Sequence, residues 1–120
     1  MRNPKTVAVT VALGLALAAC SGGGDDAAAV ESVDVGTLTL SGEAAAGLAT
    51  YEAKCRACHG SDLPGGAGPA LGPGSAAAGK PVSELRGTII GGATGMPAWG
   101  GLLDDTEIDQ LIVFLETVQG

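Results

Sequence analysis

Cys55-Arg56-Ala57-Cys58-His59 sets two thiols three positions apart and an imidazole directly after the second. On a helix, positions i, i+3 and i+4 share one face, so all three side chains look the same way. Two sulfurs can then bond to the vinyl edges of a porphyrin while the imidazole comes up beneath the iron. That spacing is the attachment pattern of a c-type haem. Other uses fit less well. A structural zinc ion needs four ligands, whereas the sequence beyond Cys20 holds two cysteines and one histidine. A thioredoxin-like redox pair belongs near a βαβ pattern, which the flanks lack. A plain disulfide suits an oxidising compartment but leaves His59 without a role.

Upstream, the chain begins as an export signal. Arg2 and Lys5 precede the short apolar run Thr6 to Ala19, and Leu17-Ala18-Ala19-Cys20 closes it. The run is too short for a spanning helix and ends in small residues, as secretory signals do. Leu-Ala-Ala-Cys resembles the lipobox of bacterial lipoproteins, which implies cleavage before Cys20 and acylation of that residue. The other reading is ordinary signal cleavage with Cys20 left as a stray thiol. With the anchor, the cysteines are all assigned: one to lipid, two to haem. Residues 1–19 are then the signal peptide, 20–42 a lipidated flexible tether and 43–120 the folded domain. The tether opens on Gly22-Gly23-Gly24-Asp25-Asp26, a flexible acidic composition. Val33, Val35, Leu38 and Leu40 alternate within it, a spacing compatible with a short strand.

Once residues 1–19 are removed, Lys54, Arg56, Lys80 and Arg86 stand against 13 carboxylates, Met96 is the sole methionine and His59 the sole histidine. Such an acidic excess excludes nucleic acid as a partner, because nothing would neutralise the phosphates. It suits redox donors and acceptors that present basic docking faces, as well as plain solubility. Tyr51, Trp99 and Phe114 are the only aromatics. A domain this small is marginal on its own side chains, and a covalently held apolar cofactor would supply the missing core.

The order of elements follows from composition. Ser41 to His59 predicts a first helix capped at Ser41 or Gly42, with Gly47, Tyr51 and Cys55 four apart along one face. Gly60 to Gly79 carries seven glycines and three prolines and predicts a loop lying close against a ligand. A bound imidazole ordinarily donates its second N–H to a backbone carbonyl. Gly68-Pro69-Ala70-Leu71 offers the Pro69 carbonyl for His59, or is simply a turn. Pro81 to Gly91 predicts a short helix from which Arg86 faces solvent or, as the alternative, contacts a haem propionate. Met96, between Gly95 and Pro97, is a soft thioether donor suited to haem iron, or else core filler; Trp99 would cover the ring. Asp104 to Gln119 predicts the clearest helix, opened by an Asp104/Glu107 capping box, with Ile108, Leu111, Ile112, Leu115 and Val118 as its buried stripe.

Together these motifs resemble a class I, mono-haem cytochrome c. They are Tyr51-x-x-x-Cys55-x-x-Cys58-His59-Gly60, Gly68-Pro69-x-Leu71, Met96-Pro97 and Leu111-x-x-Phe114, from about Gly42 to Val118. The resemblance implies an all-α fold, three to four short helices and Gly/Pro-rich loops around one covalently attached haem c. It implies a crossing of first and last helices, with Gly47 and Tyr51 meeting Leu111 and Phe114. It also implies iron held by His59 and Met96, with the Pro69 carbonyl behind His59. The N-terminal extension lies outside the family pattern, and the short loop before Met96 points to the compact bacterial forms.

The function this implies is single-electron transfer, with no small-molecule substrate. The carrier would be tethered through Cys20 to a membrane of the bacterial cell envelope, facing the periplasm or the outer side. Two alternatives stand beside it. One is a cytochrome module or subunit of a larger respiratory oxidoreductase. The other is a five-coordinate haem that binds a gas or peroxide as sensor or enzyme, against which the lack of a second histidine argues.

Overall fold

The computed structural model describes residues 33–120. The signal-peptide and Cys20 expectations lie outside them. Four α-helices carry the fold: α1 (Gly42–Lys54), α2 (Arg56–His59), α3 (Val82–Gly91) and α4 (Asp105–Gln119). The described residues contain no strand, only an isolated bridge between Ala93 and Met96. The all-α expectation holds.

Alternation in residues 33–40 does not produce a strand. Asp34 instead caps a single 3-10 turn, Val35–Thr37, its carboxylate accepting from Gly36 N at 3.1 Å. An aspartate bonded to its own backbone favours a turn over an extended ladder. Val35 is buried, and Val33 N donates to Asp62 O at 3.3 Å. The last part of the stretch expected to be tether therefore packs on the domain.

The first helix is not continuous. Cys55 ends α1 and begins α2, with φ −111° and ψ −33°. Its carbonyl still accepts from His59 N at 3.0 Å, so one helical turn links Cys55 to His59 across the break. Ser41 occupies the N-cap position of α1 without a side-chain capping bond. At α4 the expected box is complete: Glu107 N donates to Asp104 Oδ1 and Asp104 N to Glu107 Oε2, each at 2.9 Å.

α1 crosses α4 as the motif spacing implies, and Gly47 is where they meet. A Cβ there would collide with the Gln110 carbonyl, lying 2.5 Å from its carbon and 2.8 Å from Phe114 Cβ. One turn on, Tyr51 and Phe114 stack with ring centroids 5.3 Å apart, tilted by 47°. Ile108, Leu111, Ile112, Leu115 and Val118 of α4 are buried in the same core. Arg86 departs from expectation. Instead of facing solvent alone, it bridges α3 to α4 through Asp105 (2.8 Å) and Asp109. Those two carboxylates are one turn apart on α4, which suits the guanidinium's forked donors.

Gly47→Ala is expected to cost about 2–3 kcal/mol, because the obstruction is backbone and cannot rotate away. Urea unfolding of the haem-loaded protein measures it.

Candidate haem site

Helix α2 and the loop after it build the site from backbone hydrogen bonds. Gly60 ends α2 with φ +84°, a conformation glycine adopts freely. The loop then folds back: Gly65 N donates to His59 O at 2.9 Å and Gly68 N to Cys58 O at 2.8 Å. Gly68 thereby lies flat on the imidazole. A Cβ at that position would be 2.8 Å from His59 Cε1 and 3.0 Å from Nδ1. His59 is buried, and its Nδ1 lies 2.7 Å from Pro69 O. A carbonyl only accepts, so this contact makes Nδ1 the protonated nitrogen and leaves Nε2 with its lone pair free.

Tyr51 ties the same region to α1, its hydroxyl donating to Gly60 O at 2.7 Å. Burial raises the phenol's pKa well above its ordinary value, and negative charge at Cys55 and Asp62 adds to the shift. Tyr51 therefore remains a neutral donor. Burial also pushes the Cys55 thiol up to about 11, with a further contribution from Cys58. A reactive thiol is ordinarily shifted toward thiolate, and Cys55 is shifted the other way. Among the described residues, no three His, Cys, Asp or Glu side chains converge.

A cavity of about 620 Å³ opens beside this cluster. Cys55, Cys58, His59 and Pro69 border it on one side of the sequence; Met96, Pro97 and Trp99 border it from the other. Leu85 and Ile89 of α3 and Leu111 and Leu115 of α4 complete an apolar lining. Cys55 is buried and Cys58 exposed, so the two thiols run from the interior to the rim. A flat apolar macrocycle that bonds two thiols and needs an imidazole fits this donor set and this lining.

Met96 is held by local geometry. Ala93 N donates to Met96 O at 3.1 Å and Met96 N to Ala93 O at 2.9 Å, closing a turn in which Gly95 takes φ +77°. Trp99 N bonds Ile89 O at 2.9 Å, fastening that turn to α3. All five residues expected at the haem (Cys55, Cys58, His59, Pro69 and Met96) thus border one cavity. Sequence reasoning missed two contributors. The Tyr51 hydroxyl bond was hidden because Tyr51 read as helix packing. Leu63, fully buried with φ +63°, sits inside a loop read as ligand lining only. Its carbonyl accepts from Leu71 N (3.0 Å) and Gly72 N (3.3 Å), which holds the unusual backbone in place.

Fold and site together define a c-type cytochrome domain, a haem-binding unit of electron transfer. Residues 42–115 match the family described as cytochrome C oxidase, cbb3-type, subunit III, and the chain belongs to that family. Among curated proteins it is 42% identical over 83 residues to dihydro-heme d1 dehydrogenase of Pseudomonas aeruginosa, covering 68% of this chain and 16% of that one. It is 45% identical over 60 residues to cytochrome c55X of Stutzerimonas stutzeri, covering 48% of this chain and 52% of that one. The solved structure of dihydro-heme d1 dehydrogenase NirN in complex with DHE aligns with a TM-score of 0.53 at 38% identity, over 59% of this chain and 16% of that one. The chain thus spans about half of cytochrome c55X and a small part of the dehydrogenase.

Gly68→Ala is expected to push the imidazole off the Pro69 carbonyl and cost about 1–3 kcal/mol. Thermal unfolding of the haem-loaded protein, followed in its visible absorption, checks both effects.

Proposed function

We propose that this chain is a one-electron carrier, a class I mono-haem cytochrome c. Cys55 and Cys58 would hold the haem through thioether bonds, and His59 and Met96 would be the ligands of its iron. One observation carries the reading: a single apolar cavity bordered at once by both thiols, the imidazole and the thioether. When bound, haem supplies one iron that alternates between ferrous and ferric states.

The chain's own residues do the rest. The Pro69 carbonyl accepts a hydrogen bond from His59 Nδ1–H, which orients the ring and strengthens Nε2 as a donor. Met96 offers a soft sulfur, and pairing it with histidine raises the reduction potential. Ile89, Leu111 and Leu115 give the cavity an apolar lining, and burial is a further lever on potential. If His59 and Met96 both ligate the iron, they would leave it no open position for a substrate, which is why the reading is a carrier.

We further propose that the carrier is lipid-anchored at Cys20 in a bacterial envelope and meets redox donors and acceptors with basic docking faces. Supporting this are the lipobox-like Leu17-Ala18-Ala19-Cys20 and the excess of carboxylates. A second reading, a module or subunit of a larger oxidoreductase, is favoured by the family's description as an oxidase subunit and by the dehydrogenase, of which this chain matches a small part. Co-purification with a membrane enzyme would support it. A five-coordinate gas or peroxide haem is disfavoured by Met96 at the same cavity as His59.

Met96→Ala is expected to abolish the weak long-wavelength sulfur-to-iron band of the oxidised protein and to allow ready carbon monoxide binding. Its potential should fall by on the order of 0.1–0.3 V, within the ~0.8 V that axial ligation spans. A native protein already high-spin and open to carbon monoxide would contradict the carrier reading.

A further inference from the structure

Pro69 has a structural problem. Its carbonyl must meet His59 Nδ1, yet a proline has no N–H with which to anchor itself. Its placement depends on its neighbours. On the upstream side, Gly68 N bonds Cys58 O at 2.8 Å. Downstream, Leu71 N bonds Leu63 O at 3.0 Å. Gly66 N also donates to Gly68 O at 2.9 Å and Gly72 N to Leu63 O at 3.3 Å. A distant side chain adds a further hold: Gln119, at the end of α4, donates from Nε2 to Leu71 O at 2.9 Å, a half-buried bond across 48 residues.

We propose that Gln119 is a positioning residue for the axial imidazole: by pinning Leu71 it holds the Pro69 carbonyl against His59 Nδ1. This rests on the haem reading above and deepens it. The chain of contacts is short. Gln119 fixes Leu71, only Ala70 separates Leu71 from Pro69, and the Pro69 carbonyl faces the ring. With only Ala70 between them, displacement of Leu71 passes to the Pro69 carbonyl through few backbone torsions. The same bond ties the loop that carries the imidazole's acceptor to α4, the helix whose Leu111 and Leu115 line the cavity.

The direction of the effect follows from the chemistry. A well-held acceptor on Nδ1–H makes Nε2 a stronger donor and favours ferric iron. Loosening it should raise the reduction potential and expose the ring N–H to exchange. The experiment uses the haem-loaded full chain and three variants. Gln119→Leu removes the donor. Gln119→Lys keeps a donor of comparable reach. Val118→Ala weakens the buried face of α4 at a residue that does not border the cavity.

NMR of the reduced protein should show the His59 ring N–H exchanging about fivefold faster in Gln119→Leu, the loss of one ordinary hydrogen bond. The midpoint potential should move up in the same variant. Gln119→Lys should restore both toward native values. Val118→Ala should lower the unfolding temperature while leaving ring exchange and potential near native. The proposal is overturned if Gln119→Leu leaves ring exchange unchanged, if Gln119→Lys behaves like Gln119→Leu, or if Val118→Ala moves both readouts as much. A native protein whose spectra show no histidine-bound low-spin haem overturns the haem reading itself, and this inference with it.

Discussion

Everything at the haem cavity hangs on the close passage of α1 over α4 at Gly47. A hydrogen in place of a side chain lets the α1 backbone approach the Gln110 carbonyl, and Tyr51 then stacks on Phe114 one turn further along. That contact seats α1 on α4 upstream of Cys55, where the turn to His59 begins. Apolar burial of the α4 stripe supplies most of the drive; glycine supplies the distance. Arg86, bridging to Asp105 and Asp109, adds a surface clasp between α3 and α4. Exposed ion pairs contribute little to stability, so its effect is alignment.

The second layer is a loop with almost no regular structure that is nonetheless closely tied. Gly65, Gly68, Leu71 and Gly72 all donate backbone N–H groups to carbonyls of Cys58, His59 or Leu63. Tyr51 from α1 and Gln119 from α4 add side-chain donors to Gly60 O and Leu71 O. An irregular segment against an apolar cavity must satisfy its polar backbone somewhere, and here it does so partly on the turn that carries the imidazole and partly on Leu63 within the loop. Stability and ligand orientation are consequently served by the same bonds.

Much of this was legible in the sequence, and for identifiable reasons. Cys55, Cys58 and His59 could be read because one cofactor requires that spacing. The α4 helix could be read because its apolar period and its Asp104/Glu107 box agree. Gly47 with Tyr51 announced a crossing, since a helix glycine four residues from an aromatic marks a notch. What stayed hidden was decided by contacts remote in sequence or by single torsions. Nothing local tells Arg86 that Asp105 and Asp109 will lie beside it, or Gln119 that Leu71 O will. Leu63 adopts a left-handed backbone because its carbonyl holds two N–H groups and its side chain is enclosed. The alternation from Val33 to Leu40 misled because Asp34 closes a turn on Gly36.

A family built around an electron-transfer haem, a cavity lined by apolar side chains and an imidazole already oriented by a carbonyl point to the same chemistry. The most direct measurement is the intact mass of protein expressed alongside a bacterial haem-attachment system, before and after acid–acetone extraction. Thioether attachment at Cys55 and Cys58 predicts polypeptide plus one haem that extraction does not remove, with neither thiol open to alkylation. A haem that washes out, or a colourless protein with both thiols alkylated, would contradict it.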